Sequence, residues 1–122
     1  MTKEIKELRE KMKKTILISG NSVTVIEKSV ALTNHFCFIL LYCKNIIGFS
    51  LNGSHKAFVV KCLKQISNGL IMSVGDGFND VSMLREANVG IQVAHSDVPI
   101  IFGDIVISEI KILNYLVFVK GR

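Results

Sequence analysis

The feature that most constrains this chain is a short apolar run that ends in a turn rich in glycine and acid. The run covers 69–74, and its expected buried positions are Leu70, Ile71 and Val74. An apolar run stopped by glycines predicts a buried strand followed by a tight turn, here Gly-Asp-Gly-Phe-Asn-Asp over 75–80. The next stretch predicts a helix capped by Asn79 or Asp80, with a buried stripe of Val81, Met83, Leu84 and Ala87.

Two carboxylates, Asp76 and Asp80, stand four residues apart across this strand-to-helix turn. Their side chains can converge at the carboxyl end of a strand, where doubly wound sheets bind ligands. Mg²⁺ takes one or two carboxylates together with water and phosphate oxygens, and Gly75 and Gly77 allow a close backbone approach. Asn79 adds a neutral amide donor for a phosphate oxygen. The alternative is a tight turn in which Asp80 only caps the helix and Asp76 is solvated.

Lys56 opens the helix that precedes the central strand. The amino terminus of a helix favours anions, and an ammonium group there adds a mobile positive charge for a phosphate. A single lysine at a helix start is ordinarily a surface residue. Together with Asp76 and Asp80, however, it would supply one cation for a phosphoryl group whose metal the carboxylates hold.

Composition limits the function classes. The chain of 122 residues is long enough for one modest core, and its 49% hydrophobic content with one proline argues against disorder. The formal charge of +5 is concentrated in residues 1–14, where six of the fifteen basic residues alternate with glutamates. This pattern predicts a charged helical lead-in with Glu/Lys pairs, so nucleic-acid binding is not expected.

The cysteines and the hydropathy indicate a reduced, cytosolic segment. Cys37, Cys43 and Cys62 lie in apolar surroundings without the spacing of a zinc site, which favours buried free thiols. The amino terminus is charged and does not resemble a signal peptide. The longest apolar stretch, 36–43, is too short to cross a bilayer.

Strands and helices are expected to alternate along the chain. The predicted strands cover 15–18, 46–49, 69–74, 89–93 and 104–107. One or two helices are expected over 22–43, another over 55–66 with Ser54 as its cap, and a last one over 110–119. The 55–66 helix would bury Ala57, Val59, Val60, Leu63 and Ile66. This order predicts an α/β fold with a mostly parallel sheet flanked by helices.

Three motifs closely resemble the phosphorylation domain of P-type ATPases: Lys-Ala-Phe-Val-Val over 56–60, Gly-Asp-Gly-Phe-Asn-Asp-Val-Ser-Met-Leu over 75–84, and Ala-Asn-Val-Gly-Ile over 87–91. The Asp-Val-Ser-Met continuation resembles the phospholipid-transporting branch, the lipid flippases, more than the cation pumps. The resemblance covers about 15–122, including the flanking matches at 17–20, 36–43, Asp104 and 113–122.

This resemblance implies the C-terminal part of a phosphorylation domain, with a partial Rossmannoid sheet of the haloacid-dehalogenase-like type. By matching position, Asp76 would hold Mg²⁺ and Asp80 would support that metal site. Asn79, beside Gly77, would contact the phosphoryl oxygens, and Lys56 would neutralise their charge. The complete enzyme would use ATP and Mg²⁺ to move a membrane phospholipid, with the remaining flippase domains as partners. It would reside in a membrane, whereas this segment has no span of its own.

The departures from the family pattern imply that this chain alone is inactive. The family's Asp-Lys-Thr-Gly-Thr, whose aspartate is phosphorylated, does not occur in the sequence. Ser50 stands where the family has an arginine that contacts nucleotide, Gly53 stands at a proline position, and 95–99 differs from Glu-Gly-x-Gln-Ala. Two interpretations stay open: a fragment with half of the phosphate site, or a catalytically inactive flippase-like remnant or regulatory domain. Dinucleotide binding at Gly-x-Gly is disfavoured because Asp80 replaces the third glycine.

Overall fold

The computed structural model describes residues 2–4, 6–7, 14–94 and 100–112. Its strands are β1 (Lys14–Ser19), β2 (Cys43–Phe49), β3 (Met72–Gly75), β4 (Val89–Val93) and β5 (Ile105–Ile107). Its helices are α1 (Gly20–Glu27), α2 (Val30–Tyr42), α3 (Gly53–Ile66) and α4 (Val81–Glu86). Short 3₁₀ helices cover Phe78–Asp80 and Ile110–Ile112.

All the strand pairs are parallel, which confirms the predicted α/β class. They form two sheets, one of β1 and β2 and one in the order β3-β4-β5. Among the described residues the two sheets share no ladder, and β1, β2, β3 and β5 each pair on one side only. Each of these four strands therefore has one row of backbone hydrogen-bonding groups without a ladder partner in the described part of the chain.

The main core lies beneath the first sheet. Its buried members come from β1, α1, α2 and α3: Ile18, Val23, Phe36, Leu40 and Cys62. The rings of Phe36 and Phe58 stack with their centroids 6.4 Å apart, which joins α2 to α3. The opposite face of the same sheet exposes Leu17, Ile47 and Phe49. A doubly wound fold covers both faces of its sheet, so this face lacks a layer within the described residues.

Helix α3 connects the two sheets. It follows β2 and precedes β3, and it packs against α1 and α2 on one side and α4 on the other. At its start the backbone approaches the 3₁₀ turn so closely that a Cβ on Gly53 would lie 2.7 Å from the carbonyl oxygen of Asn79. Glycine is therefore required at this position, and its small size brings the start of α3 to the carboxyl end of β3.

The central strand differs from the prediction in position and burial. It covers Met72–Gly75 rather than 69–74, and Leu70, expected to be buried, is 67% exposed. The Asn88 side chain accepts the Ile71 amide hydrogen at 2.8 Å, and the Ile71 carbonyl accepts the Asn88 and Val89 amides. A side-chain bond thus takes the place of the first rung of the ladder, and the regular strand starts later.

Other boundaries also differ: β2 begins at Cys43 rather than at 46, and β1 extends one residue further at each end than predicted. Asn52, not Ser54, caps α3, which begins at Gly53. The region 22–43 forms two helices, one of the two outcomes predicted for it. Strand β5 begins one residue later than expected, since the Asp104 carboxylate accepts the Gly90 amide hydrogen at 2.8 Å. Only residues 110–112 of the predicted last helix are described, as a 3₁₀ helix. Most of the lead-in helix, the 95–99 segment and the 113–122 match lie outside the described residues. Within the described part of the chain, no helix is long and apolar enough to span a membrane.

Candidate phosphate and metal site

The centre of the candidate site is an ion pair between the start of α3 and the turn after β3. Lys56 Nζ lies 2.7 Å from Asp80 Oδ1. The Lys56 side chain is 27% exposed, whereas the Asp80 side chain is 8% exposed. A charge-assisted hydrogen bond at this distance is among the stronger polar contacts that proteins form.

The second carboxylate oxygen of Asp80 organises the turn itself. Oδ2 accepts the backbone amide hydrogens of Asp76 at 3.1 Å and Gly77 at 3.4 Å. A Cβ on Gly75 would lie 2.5 Å from the Asp80 Cβ, so only glycine permits this packing. Asp80 stands at the N-cap position of α4, but its side chain makes no cap bond to that helix. The predicted cap role for Asp80 is therefore wrong, and its carboxylate closes the Gly-Asp-Gly loop instead; Asn79, the other predicted cap, lies within the 3₁₀ turn.

The contacts of Asp80 determine its charge. Burial opposes ionisation, but the hydrogen bond from Lys56, the amides of Asp76 and Gly77, and the Lys56 charge outweigh it. Together they hold the pKa of the Asp80 carboxyl below its ordinary value. Asp80 is therefore an ionised, buried anchor at neutral pH.

Asp76 faces the same cleft as this pair. The cleft has a volume of about 720 Å³, and its lining includes Lys56, Asp76 and Asp80. Asp76 is exposed, while its backbone amide is held by Asp80. At the carboxyl end of β3, the lining of the cleft therefore includes the Lys56 ammonium together with Asp76 and Asp80.

The other two predicted site residues lie at the rim. Asn79 is exposed and Gly77 is half-buried, and neither is among the residues that line the cleft. A Cβ on Gly77 would lie 3.2 Å from the Asn79 side-chain oxygen, so the two residues are neighbours. Phe78, between them, packs against Phe102 with ring centroids 6.2 Å apart.

Sequence reasoning missed several residues near the site. Ser108 and Glu109, which follow β5, also line the cleft, and Glu109 adds a third carboxylate. Glu109 is exposed and lies 2.9 Å from Lys111. Because β3, β4 and β5 are parallel neighbours, the residues that follow β5 lie at the same edge of the sheet as those that follow β3. The predicted strand ending at 107 was the sequence signal that could have located them. His55 was also missed, although its spacing of three from Asn52 matches a capping box.

The donor set suits a hard divalent cation that is shared with a phosphate. Both oxygens of Asp80 accept protein hydrogen bonds, and Asp76 is an exposed acidic residue that lines the same cleft. Mg²⁺ commonly uses one or two carboxylates and fills its remaining positions with water and phosphate oxygens. In the described parts of the chain, no cluster of three or more His, Cys, Asp or Glu could by itself hold a metal ion.

Comparison with known proteins finds curated relatives that match most of the chain. The chain is 32% identical over 90% of its length to phospholipid-transporting ATPase C4F10.16c of Schizosaccharomyces pombe, covering 8% of that protein. It is 34% identical over 74% of its length to phospholipid-transporting ATPase DRS2 of Saccharomyces cerevisiae, covering 7%. It is also 29% identical over 87% of its length to guanylate cyclase alpha of Plasmodium falciparum, covering 3%. The first two matches confirm the resemblance to phospholipid-transporting ATPases, and this chain spans less than a tenth of the length of each.

A family model gives the broader class. The model for haloacid dehalogenase-like hydrolases matches residues 1–101, most of the chain. The parallel strands and intervening helices of this chain agree with an α/β fold of this type. This chain belongs to the haloacid dehalogenase-like hydrolase family.

Proposed function

We propose that this chain is the Mg²⁺- and phosphate-binding part of the phosphorylation domain of an ATP-driven phospholipid-translocating P-type ATPase. The observation that carries the proposal is the Lys56–Asp80 pair, which shares one cleft with the exposed carboxylate of Asp76. Phosphoryl transfer needs positioning and charge neutralisation more than covalent chemistry from the protein, and this cleft can supply both.

Each residue of the site has a separate part. Asp76 binds Mg²⁺ directly, since its carboxylate is exposed to the cleft. Asp80 supports the metal site by holding the Asp76 amide and by fixing Lys56 Nζ. Lys56 neutralises the charge of the phosphoryl group, and Asn79 and the Gly77 backbone contact its oxygens. When bound, Mg²⁺ supplies the positive charge that a phosphate requires at this site.

The phosphorylated aspartate comes from a segment outside this sequence. Within the described residues, β1 and β3 are each paired along one edge only, which suits one further parallel strand between them. A strand ending in Asp-Lys-Thr-Gly-Thr at this position would deliver its aspartate to the carboxyl end of the sheet, beside Lys56. Without that aspartate, the chain alone does not form an acyl phosphate.

The larger function follows from the relatives. Two of the proteins compared above are named phospholipid-transporting ATPases, and this chain covers 8% or less of each. We propose that the complete protein uses ATP, resides in a membrane and acts on phospholipid. The remaining flippase domains would then be the partners of this segment.

Complementation in trans tests the proposal. The missing half, carrying Asp-Lys-Thr-Gly-Thr, is mixed with this chain, Mg²⁺ and radiolabelled ATP, and hydroxylamine-labile labelling of the added half is measured. We expect labelling that Asp76→Asn or Lys56→Met abolishes. The matched control is Lys61→Ala, an exposed lysine on the same helix. Absence of labelling with a folded, associated pair would refute a catalytic fragment.

The alternative is a non-catalytic flippase-like domain with a regulatory role. Two observations favour it: Ser50 stands at the nucleotide-contacting arginine position, and one relative is named a guanylate cyclase, not a transporter. If the domain is non-catalytic, mixing this chain with the missing half gives no radiolabelled aspartate, and the chain shows no Mg²⁺ affinity.

A further inference from the structure

His55 lies beside Lys56, is 8% exposed and takes no direct part in the proposed site. It belongs to the capping box of α3. The His55 amide donates to Asn52 Oδ1 at 2.9 Å, and the Asn52 amide donates in return to His55 Nδ1 at 3.2 Å. A capping box usually has Glu or Gln at this position, so an imidazole calls for another explanation.

The other nitrogen of the ring joins α3 to α1. His55 Nε2 lies 2.7 Å from Thr24 Oγ1, and Thr24 Oγ1 donates to the Gly20 carbonyl at 3.1 Å. Because Nδ1 accepts from Asn52 and the Thr24 hydrogen is used at Gly20, the hydrogen bonds assign the proton to Nε2. The imidazole accepts from the Asn52 amide with one nitrogen and donates to a second helix with the other, which a glutamate at this position could not do because an ionised carboxylate only accepts.

This network acts on the start of α3 from the side away from the site. On the near side, Lys56 Nζ is held by Asp80, and Gly53 abuts the Asn79 carbonyl. On the far side, the ring lies against Gly20, where a Cβ would be 3.0 Å from Nδ1. The first turn of α3 is therefore held between α1 and the turn that follows β3.

We propose that His55 is a positioning residue that holds Lys56 over Asp80 by tying the first turn of α3 to Thr24. Any effect of His55 on phosphate binding rests on the proposed function, whereas its effect on the position of Lys56 does not. This tie, the hydrogen bond between His55 Nε2 and Thr24 Oγ1, links the helix that follows β1 to the site at the end of β3. It thereby couples the two sheets through side chains rather than through a shared ladder.

Competitive amine labelling tests the proposal on the full chain without ATP or a second protein. The chain is treated with a trace of N-hydroxysuccinimidyl acetate, and acetylation of Lys56 relative to Lys61 is measured by mass spectrometry. Lys61 is the internal control because it lies exposed on the same helix. Lys56 should react slowly while it is paired, and Asp80→Asn gives the value for a released Lys56.

Three variants separate the cap from the tie. We expect His55→Ala, which loses both, to raise the Lys56/Lys61 ratio by about fivefold, the opening typical of a lost cap bond. Thr24→Val keeps the shape of Thr24 but cannot accept from the ring, and His55→Gln keeps the capping box but replaces the ring nitrogen that reaches Thr24; each should raise the ratio by about twofold.

Two results would overturn the proposal. One is a wild-type ratio in both His55→Gln and Thr24→Val, which would mean that the tie positions nothing. The other is a rise of Lys56 and Lys61 together, which would indicate fraying of the whole helix. If His55→Ala does not fold, the two tie variants still decide. Failure of the complementation assay leaves this result unaffected, so the two proposals fail independently.

Discussion

Replacing Lys56 by methionine isolates the energetic role of the site's ion pair. Methionine keeps an unbranched apolar stem but removes the ammonium that lies 2.7 Å from Asp80 Oδ1. The Asp80 carboxylate then stays buried with two backbone amides as its remaining partners. A buried charge that loses its partner is destabilising because its desolvation is no longer offset.

The size of the effect follows from burial. A hydrogen bond to a charged group contributes about 1.5–3 kcal/mol net, and fully buried pairs cost about 3–5 kcal/mol when broken. The Lys56 side chain is 27% exposed and the amides stay in place, so the lower range applies. We expect the free energy of unfolding to fall by about 2 kcal/mol, or the melting temperature by roughly 8 °C for a domain of this size.

Urea unfolding followed by circular dichroism at several pH values measures this loss. The folded-state pKa of Asp80 lies below its unfolded value, so the stability that the ionised carboxylate contributes is present above the unfolded pKa. The difference between wild type and variant should therefore be full at pH 7 and shrink once the pH falls below about 4. Lys61→Met, on the exposed face of α3, should change stability by less than about 0.5 kcal/mol. A deficit under 0.5 kcal/mol at pH 7, or one independent of pH, would refute the reasoning.

Three further predictions concern the surroundings of the site. Asn52→Ala should cost about 1 kcal/mol in urea unfolding because it removes the α3 cap, whereas Ser54→Ala should cost clearly less; equal losses would contradict the cap assignment. Gly75→Ala should destabilise by about 2 kcal/mol or more, since its Cβ would meet Asp80. Gly69→Ala should be nearly neutral, because its Cβ would make only an ordinary contact, 3.8 Å from Ser67 Oγ; a neutral Gly75→Ala would show that the loop packs differently. Burial, with Cys37 adding to it, raises the pKa of Cys62 to about 12, so its alkylation by iodoacetamide at pH 8 should be more than about a hundredfold slower than in urea, and fast labelling of folded protein would contradict its burial.

Local patterns predicted the parts of this fold that depend on neighbouring residues. The apolar runs located β1, β2 and β4, and the spacing of Asp76 and Asp80 indicated a shared cleft. The cap of α3 was misplaced because Asn52 and Ser54 are both good N-cap residues, and sequence alone does not choose between them. The start of β3 was misplaced because a side chain from beyond the next helix, Asn88, takes the Ile71 amide.

Long-range contacts explain the rest. Asp80 was expected to cap α4, but Lys56, 24 residues earlier, and two amides take its oxygens. The tie between Thr24 and His55 spans 31 residues, and no periodicity points to it. The alternation of strands and helices predicted one parallel sheet but not its division, because the division depends on which strands meet, not on where strands lie.

The proposed function requires that Asp76 and Asp80 create a divalent-cation site beside Lys56. Mn²⁺, which shares the preference of Mg²⁺ for carboxylate and water ligands, can be titrated into isotope-labelled chain while amide resonances are followed by NMR. We expect paramagnetic broadening to begin at residues 75–80 and at Lys56, to be displaced by excess Mg²⁺, and to disappear in Asp76→Asn. Broadening that begins at the glutamates of the lead-in, or that persists unchanged in Asp76→Asn, would contradict the account.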